Sequence, residues 1–466
     1  MRKIFSSDKN LSYFGRIYLS LSITKRKIVE YLKFDSILSY IMWAFWGILN
    51  SLIFMFFYKE HQALNILASI HRRAPLCWIS LLIEKIFKQR YFETHKGYTR
   101  FKDTCFIHLN KTCDPNILNN LNSSLKDKKR FFYKRLIVIK SYNHNEKGVI
   151  IIKYTNMFRL FLQLFDINKI CEKYYLVLEP SWCGYFDLDI LLYATLDYPV
   201  FIQASEPRDY EFINNLKTNL IPVPIGANWW VDHRIFKPLN NVKKEFDLIM
   251  VASWVDYKRH YRVFSALNKI KKKGQILRAI FIGEPLGETG KTKDDVYREA
   301  KYYNVHKQIE IIEKISQKRL NYYFNCSKVN ILWSRREGFN KAIIEGMFAG
   351  VPCIIRKGFN YGFKYPYINR NTGIFSSESA LPNSILKMVD SYQTFSPRPW
   401  VMEHMSCHKA TDILNKIIRK IAEKRGEDWT TDISVKINSP YLKYWDEKNA
   451  EKYEEDYEFL KSTVRL

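Results

Sequence analysis

The stretch REGFNKAIIEGMFAGVPCII, residues 336–355, carries two glutamates, Glu337 and Glu345, separated by seven residues. Gly338 permits a tight turn, a helix is predicted to begin near Asn340, and the Gly-Val-Pro sequence ends it. A helix that follows a strand in this way is typical of alternating α/β folds, whose ligands lie beyond the carboxyl ends of the strands. The two carboxylates are therefore expected close to a bound ligand.

Around this stretch the chain reads as two series of alternating strands and helices, joined by the polar stretch LNNVKKEF after residue 238. The strands predicted in the first series are Cys105–Leu109, Leu136–Lys140, Val149–Tyr154, Tyr175–Glu179, Val200–Ala204 and Leu220–Ile225. Those predicted in the second are Asp247–Ser253, Arg278–Gly283, Ile309–Glu313, Val329–Ser334 and Val351–Arg356. Apolar strands spaced by helix-length segments favour parallel, doubly wound sheets.

Glu345 is predicted to lie off the apolar face of its helix, beside Lys341 and two alanines. An exposed ion pair with Lys341 is one interpretation, worth only ~0.2–0.5 kcal/mol. The other is a ligand, because a carboxylate can accept hydrogen bonds from a vicinal diol and the amides of residues 338–340 can hold a phosphate. A ribose and a diphosphate together indicate a nucleotide.

The segment VASWVDYKRHYRVFSAL, residues 251–267, predicts a helix that begins near Asp256, with Lys258 and Arg259 in its first turn. Cations oppose the helix dipole there, by ~0.3–1 kcal/mol each, and a bound phosphate would compensate. Two solvated side chains are the alternative. Replacing Lys258 with alanine is accordingly predicted to leave the free protein unchanged or slightly more stable.

The chain has 466 residues and a net charge of +27, which favours two domains and attraction to nucleic acid, anionic lipid headgroups or phosphorylated ligands. Its eight cysteines show no zinc-site spacing and are expected to be buried thiols in a reducing compartment. No metal site is predicted.

The N-terminal region differs from the rest, because Ile37–Tyr58 contains no charged residue over about the length that crosses a bilayer. Eight basic residues precede it, and Cys77–Phe92 offers a second apolar stripe. Three interpretations stay open: a membrane span, a helix in the membrane interface, or a buried helix.

The stretch EGFNKAIIEGMFAGVPCII resembles the signature of retaining GT-B glycosyltransferases of the large family 4-like group ("glycosyl transferases group 1"), in which Glu, seven residues and Glu are followed by a Gly-x-Pro turn. The segments WVDHRIFKP, FIGEP, RNTGIF and PWVMEHMSCHKATDILNKIIRKI extend the resemblance over residues 220–420. It implies an α/β GT-B fold, two Rossmann-like doubly wound domains facing a cleft. The expected segments are an apolar and basic extension (1–95), an acceptor domain (96–238), a nucleotide-sugar domain (239–400) and closing helices with an acidic tail (401–466).

The resemblance also implies roles for individual residues. Lys258 and the amides of Gly338, Phe339 and Asn340 would contact the donor diphosphate. Glu337 would contact the transferred sugar near its reacting carbon, and Glu345 would contact the ribose hydroxyls. The backbone near Ile315 would contact the base. Ser253 stands where the family usually has an arginine, so Arg259 is the nearest candidate for a second charge on the diphosphate. The family's Gly-rich first loop and its N-domain histidine have no clear counterpart.

The stretch LEPSWCGYFDLD is a candidate acceptor loop, which makes Glu179, Trp182 and Asp187 candidate acceptor residues independently of the resemblance. The expected function is metal-independent transfer of a sugar from a nucleotide sugar to a glycan or lipid-linked acceptor, in polysaccharide or glycoconjugate synthesis. The expected location is cytoplasmic, peripheral or monotopic on the anionic inner face of the membrane. A nucleotide-sugar epimerase on the same fold and a basic nucleic-acid-binding protein are the alternatives, the second disfavoured because no nucleic-acid-binding motif is visible.

Overall fold

The computed structural model describes residues 13–32, 36–73, 77–111, 134–287, 290–358, 365–439 and 441–465. Its α-helices are α1 Tyr13–Glu30, α2 Ile37–Phe56, α3 Glu60–Arg73, α4 Cys77–Tyr91, α5 His95–Leu109, α6 Thr155–Leu164, α7 Ile167–Lys173, α8 Leu188–Leu191, α9 Pro207–Leu216, α10 His260–Lys272, α11 Lys293–Tyr302, α12 Gln317–Asn325, α13 Lys341–Phe348, α14 Leu381–Ser391, α15 Pro397–Met405, α16 Cys407–Lys424, α17 Asn449–Lys452 and α18 Glu454–Ser462. Its strands are β1 Leu136–Lys140, β2 Gly148–Lys153, β3 Tyr174–Glu179, β4 Val200–Gln203, β5 Leu220–Val223, β6 Phe246–Val251, β7 Ala279–Gly283, β8 Ile309–Glu313, β9 Ser327–Leu332, β10 Cys353–Arg356, β11 Gly373–Ser376, β12 Lys436–Asn438 and β13 Leu442–Tyr444.

The C-terminal domain is built on a six-stranded sheet in the order β11-β10-β9-β6-β7-β8, with all strands parallel. The chain winds to one side of β6 through β7 and β8, and to the other side through β9, β10 and β11. The winding therefore reverses between β6 and β9, and the loops after these two strands open a crevice, as in doubly wound nucleotide-binding sheets. We call this space the crevice. The doubly wound sheet predicted for this half is confirmed.

The N-terminal domain has a five-stranded sheet in the order β1 to β5, in which β1 is antiparallel to β2 and the other pairs are parallel. The residues of β1, β2, β3 and β4 are all buried, which explains why these strands read as continuous apolar runs. The strand predicted at Cys105–Leu109 is wrong, because these residues end α5, whose buried positions recur at helical spacing. Strand β11 was not predicted.

The segment before residue 110 is helical and divides between the domains. Helices α2 to α5, which we call the helical extension, share one core with the N-terminal sheet, whereas Ile23 of α1 is buried in the core of the C-terminal domain. Arg26 of α1 pairs with Asp256 at 2.6 Å and with Glu299 at 2.8 Å. Helix α1 therefore attaches the N-terminal end of the chain to the domain that carries the crevice.

The C-terminal end of the chain returns to the N-terminal domain. Val401 and Met405 of α15 lie in the C-terminal core, while α16 and the β12–β13 hairpin contribute buried residues to the N-terminal core. The six described cysteines with placed side chains are free and buried. Cys77 and Cys113, which complete the eight, lie outside that set.

Candidate functional site

Lys258 and Glu337 meet in the crevice. Lys258 ends a short 3-10 turn, Asp256–Lys258, after β6, and Glu337 lies in the loop after β9. The Lys258 Nζ is 2.5 Å from Glu337 Oε1, and the two side chains are only 15% and 9% exposed. The helix predicted to begin near Asp256 begins instead at His260, so Lys258 precedes the helix and is held by a carboxylate.

The turn after Glu337 leads directly into α13. A Cβ atom on Gly338 would lie 2.3 Å from the carbonyl oxygen of Ser181, so only glycine permits this approach of the two domains. The Tyr365 hydroxyl donates to the Gly338 carbonyl at 3.1 Å, and burial raises the pKa of Tyr365 well above its ordinary value, which keeps the hydroxyl a donor. Helix α13 begins at Lys341, close to the start predicted near Asn340, and Asn340 caps it by accepting a hydrogen bond from Ile343 N at 3.0 Å.

The backbone amides of residues 338–340 lie at the turn that leads into α13. In the part of the chain that the structure describes, no group accepts a hydrogen bond from the N–H of Gly338, Phe339 or Asn340, and the Asn340 Nδ2 is likewise buried without an acceptor. The Phe339 ring packs against Gly226 of the N-terminal domain. These donors, at the start of a helix and beside the Lys258 ammonium, suit an anion.

Glu345 lies on α13, with its side chain 8% exposed. Its Oε1 is 3.3 Å from Lys341 Nζ, which also donates to the Asn438 carbonyl at 2.5 Å. The ion pair considered from the sequence is therefore present, but it is largely enclosed at the carboxylate end instead of exposed. The role of Glu345 toward ribose remains a prediction.

Arg259 is placed away from the crevice. Its backbone has a left-handed φ of 56°, its side chain is fully buried, and its Nε lies 3.2 Å from Glu30 Oε2 of α1. The adjacent Tyr261 hydroxyl also donates to Glu30. This corrects the assignment of Arg259 to the diphosphate, because its guanidinium is used to attach α1.

Ile315 lies in the loop after β8 and packs against the C-terminal core. The loop is fixed at the carboxyl edge of the sheet, where the amide of Lys314, at φ 42°, donates to the Gly283 carbonyl at 3.1 Å. Contact between the backbone near Ile315 and a base remains a prediction.

The three candidate acceptor residues have different environments. The Glu179 carboxylate is fully buried, with Oε2 at 2.6 Å from Lys436 Nζ and Oε1 accepting from Asn438 Nδ2 at 2.8 Å. Although burial alone would raise the pKa of Glu179, the Lys436 and Lys153 ammonium groups hold it below its ordinary value. This corrects the assignment of Glu179 to the acceptor, because its carboxylate is enclosed under the β12–β13 hairpin.

Trp182 and Asp187, in contrast, line cavities. Trp182 is 43% exposed and borders a cavity of about 540 Å³ that also includes Lys134, Arg135 and Tyr441. Asp187 caps α8 and pairs with Arg72 of α3. Both remain candidates for the acceptor side.

One cation beside the crevice was missed. Arg336 is exposed, and its guanidinium carbon lies 5.7 Å from the Trp182 ring centre and 5.5 Å from that of Tyr257. It opens the motif stretch, immediately before Glu337, so its position in the sequence was the available signal. At the β2–α6 turn, Tyr154 adopts a φ of 78°, a conformation that favours glycine.

A buried carboxyl was also missed. Glu206 precedes α9, is 4% exposed, and its Oε2 has no described hydrogen-bond donor. Burial, reinforced by the nearby Asp209, raises the pKa of Glu206 to about 8.

Among the described residues, no group of three His, Cys, Asp or Glu side chains is arranged to hold a metal ion.

Part of the chain matches a family of known proteins. Residues 231–393 match the family model described as glycosyl transferases group 1. No curated protein matches the sequence. The structure is similar to sucrose-phosphate synthase from Thermosynechococcus elongatus, with 14% identity over 59% of this chain and 74% of that chain and a TM-score of 0.47.

Two further solved structures are similar. S. aureus TarM has 15% identity over 58% of this chain and 54% of its own, with a TM-score of 0.45. HepE from Anabaena, solved with UDP, has 12% identity over 59% of this chain and 78% of its own, with a TM-score of 0.44. Residues 231–393, the part of the chain that matches this family model, hold Lys258, Glu337 and Glu345, and the chain is a glycosyltransferase.

Proposed function

We propose that the protein transfers a sugar, with retention of configuration, from a nucleotide-sugar donor to a glycan or lipid-linked acceptor in cell-surface polysaccharide or glycoconjugate synthesis. The observation that carries the proposal is the position of Lys258, Glu337 and the residue 338–340 amides in the crevice. A cation, free amides and a carboxylate around one point match a diphosphate leaving group next to a sugar.

The proposed mechanism is electrostatic. As the bond between the sugar and the diphosphate breaks, negative charge accumulates on the diphosphate, and Lys258 with the amides would stabilise it. The Lys258 ammonium is fixed in the crevice by Glu337. Such preorganised groups lose little free energy to rearrangement during the reaction. Lys258 and the amides would therefore stabilise the charge without a resident metal.

Glu345 is assigned to the nucleoside. It lies on α13, which begins directly after the residue 338–340 turn, so a nucleotide whose diphosphate sits at the turn can reach Glu345 with its ribose. A largely buried carboxylate accepts hydrogen bonds from two hydroxyls more strongly than an exposed one does.

We also propose that the protein works on the cytoplasmic side of a membrane, with α2 in the membrane interface. By length and composition, α2 is the one helix among the described residues that could cross a bilayer. However, one stripe of α2 is fixed to α3, since Ser51 Oγ donates to the Ala63 carbonyl at 3.3 Å and the Tyr40 hydroxyl to the Ile70 carbonyl at 3.0 Å.

The rest of α2 faces away from the protein. Its exposed apolar residues are Ile37, Leu38, Met42, Trp43, Phe45, Trp46, Leu49, Leu52, Ile53 and Phe56. A helix fixed along its length to a folded domain, with an apolar outer face and basic residues before it, has the features of a monotopic interfacial anchor.

The test is incubation of the full-length protein with a panel of nucleotide sugars, with and without lipid-linked glycan acceptors. We expect one nucleotide sugar to release free nucleoside diphosphate, at a rate that rises when an acceptor is present. Conversion of the donor into an isomeric nucleotide sugar, with no diphosphate release, would instead identify an epimerase. Binding of nucleic acid without either reaction would favour the third interpretation.

A further inference from the structure

A second cavity, of about 260 Å³, lies between the helical extension and the crevice. The charged and histidine side chains that line it are Arg72, Arg73, His108, Asp187, Asp189 and Arg336. Arg72 and Arg73 come from α3 and His108 from α5, so the helical extension supplies half of a site whose other wall adjoins Glu337.

The charges in this cavity favour an anion. Both lining carboxylates already have partners, since Asp187 pairs with Arg72, and Asp189 Oδ1 lies 2.7 Å from His108 Nε2. The lining contains three arginines, Arg72, Arg73 and Arg336, against two carboxylates. Arginine recognises phosphate with its planar set of donors, so a phosphate group suits this excess better than a neutral sugar does.

Two of the lining arginines contact aromatic residues on different surfaces. The Arg336 guanidinium lies over the Trp182 ring, and Arg336 precedes Glu337 of the crevice in the chain. The Arg73 guanidinium carbon lies 5.4 Å from the ring centre of Trp43, which is exposed on the apolar face of α2. A phosphate in the cavity would therefore lie between a lipid chain at α2 and a sugar at Glu337.

We propose that this cavity binds the phosphate or diphosphate that joins the lipid to the glycan in a lipid-linked acceptor, with Arg73 and Arg336 as the recognising residues. The proposal rests on the proposed function and narrows its acceptor to one class. A free phosphate ion shares the chemistry of the group, and the experiment separates the two sources.

The experiment measures flotation of the full-length protein with phosphatidylcholine vesicles that contain a polyprenyl diphosphate, the matching polyprenol, or phosphatidylglycerol at equal surface charge. We expect the polyprenyl diphosphate vesicles to bind most tightly. Arg73→Gln and Arg336→Gln should each reduce this preference by roughly tenfold, the effect of one hydrogen bond between charged groups. Lys102→Gln is the matched control, because it removes an exposed charge from α5 outside the cavity.

Inorganic pyrophosphate provides the second arm. If the cavity takes the lipid-attached group, pyrophosphate should compete with polyprenyl diphosphate vesicles and leave binding to phosphatidylglycerol vesicles unchanged. Pyrophosphate that binds as tightly as the lipid form would show a site for the free ion, and this would overturn the proposal. So would a vesicle preference that survives in both arginine variants.

The donor site is tested separately, by the shift in melting temperature that nucleoside diphosphate produces. If the Arg73→Gln and Arg336→Gln variants show a normal shift and an unchanged preference for polyprenyl diphosphate vesicles, the phosphate cavity is refuted and the transferase function stands. A lost shift in the wild type would contradict the proposed function itself. Arg73→Lys, which keeps the charge and loses the planar donors, should fall between the wild type and Arg73→Gln.

Discussion

The Lys258 ammonium nitrogen lies 2.5 Å from a carboxylate oxygen of Glu337, a residue 79 positions further along the chain. The two meet because β6 and β9 are neighbours in the sheet and each is followed by a loop at its carboxyl end. Arg335 N also donates to the Tyr257 carbonyl at 2.6 Å, which joins these loops directly. The stability of the free protein and the charge in the crevice therefore depend on the same pair.

Replacement of Lys258 by alanine should reduce turnover by roughly a hundredfold or more, because groups that stabilise charge in a transition state contribute ~3–4 kcal/mol and each ~1.36 kcal/mol is a factor of ten. The structure reverses the expectation for stability. Glu337 would lose its partner while 9% exposed, so unfolding of the free variant should become about 1–3 kcal/mol easier. Steady-state rates and urea unfolding measure the two effects.

The double variant Lys258→Ala/Glu337→Gln separates the effect on turnover from the effect on stability, because it removes both charges. We expect it to regain most of the lost stability and none of the lost turnover. A Lys258→Ala enzyme with wild-type turnover would rule out the proposed electrostatic role.

Glu345→Gln should weaken nucleoside diphosphate binding by roughly tenfold, since a neutral amide accepts hydrogen bonds from two hydroxyls less strongly than a carboxylate does. The readout is the shift in melting temperature as a function of nucleotide concentration. Glu310→Gln is the matched control, because Glu310 pairs with Arg278 on the exposed surface, where ion pairs contribute little. Equal shifts in the two variants would remove the ribose role of Glu345.

Glu30→Gln should destabilise the protein by about 3–5 kcal/mol, the usual effect of breaking a buried ion pair. Glu30 lies at the end of α1, is 2% exposed, and binds Arg259 and Tyr261 of the C-terminal domain. The variant therefore removes the carboxylate from the buried Arg259 guanidinium. The measurement is thermal unfolding beside Lys25→Gln, which changes an exposed charge on the same helix. A melting temperature equal to that of the control would show that α1 is not attached through this pair.

The sequence predicted the parts of the site that depend on local patterns and missed those that depend on distant contacts. Gly338, the Asn340 cap and the apolar strands each have a signal within a few residues, so the crevice and its motif loop could be predicted. Arg259 could not be placed, because its partner Glu30 lies 229 positions earlier and belongs to a helix whose docking no local pattern encodes. Glu179 was misassigned for the same reason, since Lys436 returns to it from the far end of the chain.

Trp46→Ser together with Phe45→Ser should move much of the protein from the membrane fraction to the soluble fraction. The two side chains are 63% and 70% exposed on α2, and their burial in lipid would contribute ~1.5–3 kcal/mol each. Substitution is sharper than deletion of the segment, which would also remove the buried contacts of α1 and α2. Tyr297→Ser, on the exposed surface of the C-terminal domain, serves as the control. If the double variant still binds the membrane at low salt and is released by high salt, the binding is assigned to basic residues instead.

Glu206 should make the stability of the protein fall as pH rises. Because folding raises the pKa of Glu206 from an ordinary 4.5 to about 8, the folded protein keeps a proton that the unfolded chain releases. The contribution is fully present below pH 4.5 and is lost as pH rises through about 8. Within this window the free energy of unfolding should fall by ~1.36 kcal/mol per pH unit from this group alone.

Glu206→Gln isolates that contribution, because the amide matches the protonated carboxyl in shape and does not ionise. Subtracting the unfolding free energies of wild type and variant at each pH removes the titration of all other groups. We expect the variant to be the more stable protein near pH 8, with the advantage shrinking steadily toward pH 4.5. A difference that stays constant across the window would mean that folding does not raise the pKa of Glu206.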